Sequence, residues 1–255
     1  MIPSEEQLRD FRELGFFSLG RVFDEKELGE IRDEYDRILL KPLKIGEDSK
    51  SPFHYSPLLH LQSSTLCRLA TSPKLIELAV TLLDSDVRLY WDQAVSKPAG
   101  ALSDVPWHQD NGYAPVIPEE YVTCTVALDE TTKENGCLWI LPGSHRNGVR
   151  PHRRTDAFFH QGYDGAERGV PAEQAEGDVL VFSSLTMHRT GGNRTPGARR
   201  SWVIQFCRAD TRQGETGILL DDRLLLSKDR LPLAEPYRER EMDLSALRRR
   251  QRRER

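Results

Sequence analysis

The 255-residue sequence has no uninterrupted apolar run of the roughly 18 residues that a membrane-spanning helix needs. It has only four cysteines, without Cys-x-x-Cys spacing, so we expect buried reduced thiols rather than disulfides or a zinc cluster. A net charge of −4 provides no general attraction to nucleic acid or to a membrane surface. The N-terminal stretch MIPSEEQLRD lacks the basic and apolar segments of a signal peptide. These absences predict a soluble, cytoplasmic protein with no nucleic-acid or membrane partner.

The composition is that of a globular protein, with 38% hydrophobic and 30% charged residues. The chain has no internal repeat and no low-complexity linker, so one domain spanning residues 1–255 is the simplest organisation. The C-terminal tail, residues 238–255, carries eight arginines against four acidic residues. Such a tail could bind an anionic partner, but we favour a solvated terminus.

Helix signals are concentrated in the N-terminal part, residues 1–85. Ser4 and Gln7 have the spacing of a capping box, and Asp24 can cap a second helix. Pro73 stands at the favoured first position of a third helix. This part of the chain is therefore predicted to be mainly helical.

From residue 87 the pattern changes to short β-rich runs bounded by turn residues. These runs are VRLYWDQAVSK, YVTCTVALD, CLWILP, GDVLVFSS and RSWVIQFCRA. Helices followed by many short strands predict a mainly β fold, a sandwich or barrel with buttressing α-helices. We place its core at about 87–210 and a C-terminal extension at about 211–255. The long glycine- and charge-rich segment 143–176 is expected to be a lid or disordered.

A His-x-Asp pair, His108 and Asp110, stands next to a turn signal. Residues i and i+2 of an extended segment share a face, so both side chains can reach one metal ion. A third ligand could come from His188, which closes the run GDVLVFSSLTMH before a glycine-rich turn. Two histidines and one carboxylate form the facial triad of non-heme iron(II) oxygenases. Taken alone, these residues also allow an Asp–His hydrogen bond or a capping aspartate.

A second pattern follows His188 in the run RRSWVIQF. Arg199 and Ser201 are two apart in a predicted strand and face the same way, whereas Arg200 faces the other way and is expected at the surface. An arginine inside a barrel requires an anion, and a guanidinium–carboxylate contact would orient a dicarboxylate. Ser201 and Thr190 could add hydroxyl donors.

Together, the segments WHQD, ENGCLWILPGSH, GDVLVF, MH and GGNRTPGARRSWVIQF resemble the phytanoyl-CoA dioxygenase family of iron(II)- and 2-oxoglutarate-dependent oxygenases. The resemblance runs from about Leu89 to Ala209. It implies a double-stranded β-helix, the jelly-roll or cupin-like barrel, with helices packed on one sheet. It also implies that iron(II), 2-oxoglutarate and dioxygen are used.

Carried over by motif, the resemblance places His108, Asp110 and His188 at the iron and Arg199 at the distal carboxylate of 2-oxoglutarate. Gln93 and Thr125 occupy further positions that contact the cosubstrate in the family. It makes His145 structural rather than a ligand, and Trp139 either lines the pocket or belongs to the core.

The implied reaction oxidises a small-molecule substrate while 2-oxoglutarate and dioxygen become succinate and carbon dioxide. Hydroxylation of an unactivated carbon is favoured, because related halogenases lack the carboxylate that Asp110 provides. Desaturation, ring closure and epimerisation use the same triad. Arginines of the predicted lid could recruit an anionic substrate or form a solvated loop, and they are Arg146, Arg150, Arg153 and Arg154, with Arg189 beside His188.

Two alternatives remain at this stage. One is a cupin-like zinc or manganese enzyme, an isomerase or hydrolase, which would not need the buried arginine that we assign to Arg199. The other is a non-catalytic binding protein of the same fold, which would not need Asp110. The oligomeric state is left open.

Overall fold

A computed structural model describes residues 2–39, 54–155 and 159–245. Its helices are α1 Glu5–Leu14, α2 Glu25–Leu39, α3 Ser64–Ala70 and α4 Pro73–Leu83. Its strands are β1 Phe16–Arg21, β2 His54–Pro57, β3 Val87–Lys97, β4 Val105–His108, β5 Val116–Ile117, β6 Val122–Ala127, β7 Leu138–Ile140, β8 Arg153–Arg154, β9 His160–Gln161, β10 Val170–Ala172, β11 Asp178–Ser183, β12 His188–Thr190, β13 Arg199–Arg208, β14 Arg212–Gln213, β15 Leu224–Lys228 and β16 Leu231–Tyr237.

The predicted helix starts are confirmed. The Ser4 side chain accepts a hydrogen bond from the backbone of Gln7, whose own side chain returns to Ser4 and completes the capping box of α1. Asp24 and Glu27 make the same reciprocal pair at α2, at 2.8 and 3.0 Å. Pro73 begins α4. Local side-chain chemistry thus sets where these helices start.

Two antiparallel sheets form the jelly roll that the resemblance implied. In the described residues the larger sheet has the order β1-β11-β6-β13-β3-β15-β16, with β2 also paired to β3, and the smaller has the order β10-β7-β12-β4. Strands β1, β2, β15 and β16 lie outside residues 87–210 yet join the larger sheet. The mainly β fold with buttressing helices is confirmed.

The main apolar core lies between the helices and the outer face of the larger sheet. Trp202 of β13 is fully buried and stacks on Phe23, with ring centroids 6.1 Å apart. From α2, the fully buried Tyr35 reaches β13 and donates to the carbonyl oxygen of Ser201. Because side chains alternate along a strand, burying one face of β13 in this core leaves the other face for the barrel interior.

The four cysteines are free thiols, and burial raises the pKa of Cys124 to about 12. Three of the four are buried as predicted, whereas Cys67 is only partly buried. None of the described helices is long and apolar enough to cross a membrane. In the arginine-rich tail, Arg240 pairs with Asp221 at 2.6 Å, and residues 246–255 lie outside the described part of the chain.

Candidate metal centre

The predicted triad meets at one end of the smaller sheet. His108 ends β4 and His188 begins β12, and these two residues are Cα partners across the antiparallel pair. Asp110 follows in a short 3-10 turn. One potential ligand atom from each of the three side chains lies within 4.8 Å of the others. Strand pairing therefore brings together two residues that are eighty positions apart in the chain.

The imidazoles of His108 and His188 are oriented by backbone carbonyls. Each Nδ1 lies next to one, Pro106 O at 2.8 Å and Thr186 O at 2.9 Å. A neutral ring donates through one nitrogen only, so a proton on Nδ1 leaves the lone pair on Nε2. Burial, followed by the neighbouring His188, lowers the pKa of His108 well below its usual value. The neutral form that a metal ligand requires is therefore favoured.

The two Nε2 atoms face the same carboxylate oxygen. Oδ1 of Asp110 lies 3.9 Å from Nε2 of His108 and 3.5 Å from Nε2 of His188. Three electron-pair donors directed at one point repel one another unless a cation lies between them. Two imidazoles and one carboxylate are also a donor set suited to iron(II), so these residues fit the metal that the resemblance implies.

The other carboxylate oxygen of Asp110 is held by two side chains that the sequence did not single out. Oδ2 accepts hydrogen bonds from Thr123 Oγ1 at 2.6 Å and from Gln205 Nε2 at 3.0 Å. Gln205 also donates to Thr123, at 3.2 Å, and both residues are buried. This arrangement fixes the carboxylate rotation and leaves Oδ1 facing the histidines.

The register of the larger sheet places the predicted cosubstrate residues on this same inner face. Val203 is opposite Gln93 on one side and Thr125 on the other. Gln205, which bonds to Asp110, lies two residues along β13 and so points to the same side as Val203. Gln93 and Thr125 therefore face the triad.

Arg199 and Ser201 belong to that inner face as well, at the opposite end of β13. Arg199 is 4% exposed, donating from Nη1 to Ser201 Oγ at 2.8 Å and from Nη2 to the carbonyl of Gly136 at 3.0 Å. Its Nε has no hydrogen-bond partner, and it forms no ion pair with any described residue. A buried guanidinium with a free donor and no counter-ion is a ready site for an anion.

Thr190 and Gln93 also have hydrogen-bond donors available to an anion. Thr190 stands two residues after His188 on β12, and its hydroxyl is buried without a partner in the described structure. In β3 the indole of Trp91 donates to Gln93 Oε1 at 2.7 Å. Since an indole N–H can only donate, the amide nitrogen of Gln93 is left as a donor.

Other residues weighed in the sequence lie away from the triad. Arg200 pairs with Asp129 at 2.7 Å and with Asp36 at 2.8 Å on the helix-facing side. His145 contacts the carbonyl of Arg12 in α1 at 3.1 Å, in keeping with the structural role expected for it.

Trp139 and Arg189 lie on the outer face of the smaller sheet. Ile140, not Trp139, is the partner of His188, so Trp139 points away from the triad. The guanidinium of Arg189 stacks on Trp139 and on Trp107, 5.2 and 5.3 Å from the ring centroids. Trp139 therefore does not line the pocket that contains the triad.

The arginines of the predicted lid lie on aromatic rings, in ion pairs or in solvent. Arg150 stacks over Tyr163, 5.7 Å from the ring centroid, and Tyr163 packs with Trp107 on the outer face. Arg153 pairs with Asp164 at 3.6 Å, and Arg146 is exposed. Residues 156–158 of the predicted lid lie outside the described part.

Gln109, the residue between His108 and Asp110, connects the segment predicted as a lid to the triad. Its backbone N–H donates to His152 Nε2 at 3.0 Å, and its side chain accepts from the backbone of Arg150 at 2.8 Å and donates to the carbonyl of Gly148 at 2.9 Å. Gln109 is fully buried. Sequence reasoning missed this connection because it joins segments about forty residues apart, and no spacing rule predicts it.

The profile of the family described as phytanoyl-CoA dioxygenase (PhyH) matches residues 11–201. Human peroxisomal phytanoyl-CoA dioxygenase is 25% identical over 231 residues, which cover 80% of this chain and 68% of that protein. A probable alpha-ketoglutarate-dependent hypophosphite dioxygenase of Stutzerimonas stutzeri is 27% identical over 226 residues, covering 80% and 79%.

Among solved structures, the epimerase SnoN in complex with Fe3+, alpha ketoglutarate and nogalamycin RO is similar to this chain, with a TM-score of 0.71 and 26% identity. The match covers 92% of this chain and 95% of SnoN. Profile, relatives and structure agree, and the profile spans well over half of the sequence. The chain therefore belongs to the phytanoyl-CoA dioxygenase family of iron(II)- and 2-oxoglutarate-dependent oxygenases.

Proposed function

We propose that this oxygenase hydroxylates an unactivated carbon of a small-molecule metabolite. In this proposal His108, Asp110 and His188 hold iron(II), and Arg199 pairs with the distal carboxylate of 2-oxoglutarate. The observation that carries it is the position of a buried arginine, with no counter-ion among the described residues, on the inner face that also holds the triad. The alternative metal enzymes would have no use for that cation.

When bound, the metal with 2-oxoglutarate and dioxygen supplies oxidation of a C–H bond, coupled to formation of succinate and carbon dioxide. The chain's own residues position and shield this chemistry. Thr123 and Gln205 hold Asp110, and the carbonyls of Pro106 and Thr186 hold the imidazoles. Held in this way, the three side chains would bind iron(II) and leave room beside it for the cosubstrate and dioxygen.

Ser201, Thr190, Gln93 and Thr125 are proposed to complete the cosubstrate site. Ser201 accepts from Arg199, so its own hydroxyl proton is available to a carboxylate. The buried hydroxyl of Thr190 has no partner among the described residues. In this proposal the oxygen atoms of 2-oxoglutarate accept hydrogen bonds from protein donors that have no other partner.

The substrate is assigned only as a small molecule, as ectoine is for the ectoine dioxygenase of Bordetella bronchiseptica, a relative 27% identical over 230 residues. Of the arginines considered for an anionic group, Arg150 and Arg189 stack on aromatic rings and Arg153 pairs with Asp164, whereas Arg146 is exposed. We therefore assign no charge to the substrate.

The first test is anaerobic addition of iron(II) and 2-oxoglutarate to the purified protein. A visible metal-to-ligand charge-transfer band is expected, because both must share one coordination sphere to produce it. If the band is absent with the native protein, the assigned centre is wrong.

Metabolite screening with oxygen then identifies the reaction. A product that has gained one oxygen atom supports hydroxylation, whereas unchanged mass indicates epimerisation and loss of two hydrogens indicates desaturation or ring closure.

Removing either donor to Asp110 is expected to weaken iron(II) binding by about tenfold, since outer-shell partners of metal ligands contribute on that scale. Gln205→Leu and Thr123→Val keep the side-chain volume nearly constant while deleting the donor. Iron(II) affinity is measured anaerobically without cosubstrate.

Thr125→Val is the matched control for these variants, because Thr125 lies on the same strand and face as Thr123 without bonding to Asp110. Its iron(II) affinity should equal that of the native protein. Native affinity in both Gln205→Leu and Thr123→Val would show that the two hydrogen bonds do not position the ligand.

A further inference from the structure

A second buried cation lies beside Arg199. Lys97 ends β3 and is the Cα partner of Arg199 across the antiparallel pair, so the two side chains emerge on the same face. Lys97 is 1% exposed, and its ammonium donates to the carbonyls of Ser103, at 3.1 Å, and of Gly191. No described carboxylate forms an ion pair with either side chain.

The carbonyls that hold the two cations belong to neighbouring turns. Arg199 donates to the carbonyl of Gly136, and a Cβ on Gly136 would come within 2.4 Å of the carbonyl oxygen of Gly191, to which Lys97 donates. Gly136 also has a φ of +83°, so only glycine suits this approach. The two turns that contain Gly136 and Gly191 thus hold both positive charges at one end of the inner face.

Two like charges directly opposite one another on paired strands destabilise a sheet, and burial increases the cost. A single buried cation that binds an anion would not need a second. We propose that Lys97 is a positioning residue for the cosubstrate: its charge strengthens the attraction of the Arg199 end of the barrel for the distal carboxylate of 2-oxoglutarate, and binding retains a proton on Lys97. This rests on the proposed role of Arg199.

The protonation of Lys97 gives the idea a measurable consequence. Burial, and then the charge of Arg199, lower the pKa of Lys97 to about 8. A carboxylate bound nearby favours the charged ammonium and raises that pKa. Binding therefore takes up a proton near pH 8, and affinity falls as the pH rises through this value.

The other charged groups around Lys97 are exposed. Asp104 attracts it electrostatically but is solvated, and Arg194 of the turn after Gly191 is exposed. On the neighbouring β2, His54 lies opposite Ser96 and is exposed. Solvent screens all three, so Lys97 and Arg199 dominate this end of the barrel.

Three titratable groups act on Arg199 electrostatically, namely Tyr35, Cys137 and Asp129, and the last of these is paired with Arg200. Burial raises the pKa of the Cys137 thiol to about 11 and raises that of Tyr35 further. Neither changes protonation between pH 7 and pH 9, the range in which binding is compared. Iron is kept saturating in the experiment so that His188, as a proposed ligand, remains occupied.

The test is anaerobic calorimetric titration of the iron(II)-loaded protein with 2-oxoglutarate at pH 7 and pH 9, in buffers of different ionisation enthalpy. Native Kd should rise about fivefold between these values, with proton uptake near pH 8. Lys97→Met should bind about tenfold more weakly at pH 7, with Kd independent of pH. Lys97→Arg should keep native pH 7 affinity and lose the pH dependence.

Two controls separate electrostatics from folding. Lys74→Met removes a partly exposed lysine paired with Glu27 at 3.2 Å and should retain the native pH profile. With 2-oxobutyrate, which lacks the distal carboxylate, native Kd should not change between pH 7 and pH 9.

A flat native profile with 2-oxoglutarate, or the native slope in Lys97→Arg, overturns the proposal for Lys97 while leaving the proposed function intact. If Lys97→Met does not fold, the native profile and Lys97→Arg still decide the matter. If the native protein binds no 2-oxoglutarate at all, both proposals are wrong.

Discussion

Replacing Asp110 with alanine is expected to weaken iron(II) binding by at least about 100-fold, the upper end of the loss caused by removing an outer-shell partner of a ligand. The variant keeps both imidazoles but loses the anionic donor that faces them. Gln205 and Thr123 would also lose their acceptor. The visible band with iron(II) and 2-oxoglutarate should disappear, and succinate formation should fall to background.

Asp164→Ala is the matched control. Asp164 is an exposed lid residue that pairs with Arg153, so its removal should leave the band and iron(II) affinity unchanged. The assignment of Asp110 as a ligand would be contradicted if the Asp110→Ala protein formed the same visible band at the same iron(II) concentration as the native protein.

Replacing Arg199 with alanine is expected to weaken 2-oxoglutarate binding by about 100-fold, or about 3 kcal/mol, as for truncation of one partner of a buried charge pair. Iron(II) affinity should change by less than about twofold, because the anchor and the triad share no direct contact among the described residues. Separate anaerobic titrations with metal and with cosubstrate measure the two effects.

The adjacent residue provides the control for this experiment. Arg200 lies on the opposite face of the same strand and pairs with Asp36 and Asp129. Arg200→Ala should lower the thermal stability while 2-oxoglutarate affinity stays native. Equal losses of iron(II) and 2-oxoglutarate binding in Arg199→Ala would mean that Arg199 supports the fold rather than anchoring the cosubstrate.

Local sequence patterns were sufficient for several features of the structure. The capping box at Ser4 and the proline at the start of α4 act within a few residues, so they could be read directly. The strand VRLYWDQAVSK coincides with β3. The alternation that puts Arg199 and Arg200 on opposite faces is likewise a property of any extended chain.

Some of the missed residues carried a usable signal. Gln205 is six residues after Arg199 in one strand, and Thr123 is two before Thr125, so parity places both on the inner face. The alternation of side chains along a strand could not reveal that both residues donate to Asp110. The one-domain organisation of residues 1–255 stays a prediction, which the pairing of β1 and β15 into the larger sheet supports for the described residues.

The sequence by itself determined which residues could be ligands, where the main elements begin, and which side chains share a strand face, because these depend on spacing along one segment. The tertiary structure alone decided that His188 lies opposite His108, that Thr123 and Gln205 hold Asp110, and that Lys97 adjoins Arg199. Those relations depend on strand register, which is set by the packing of the whole core and not by any local pattern.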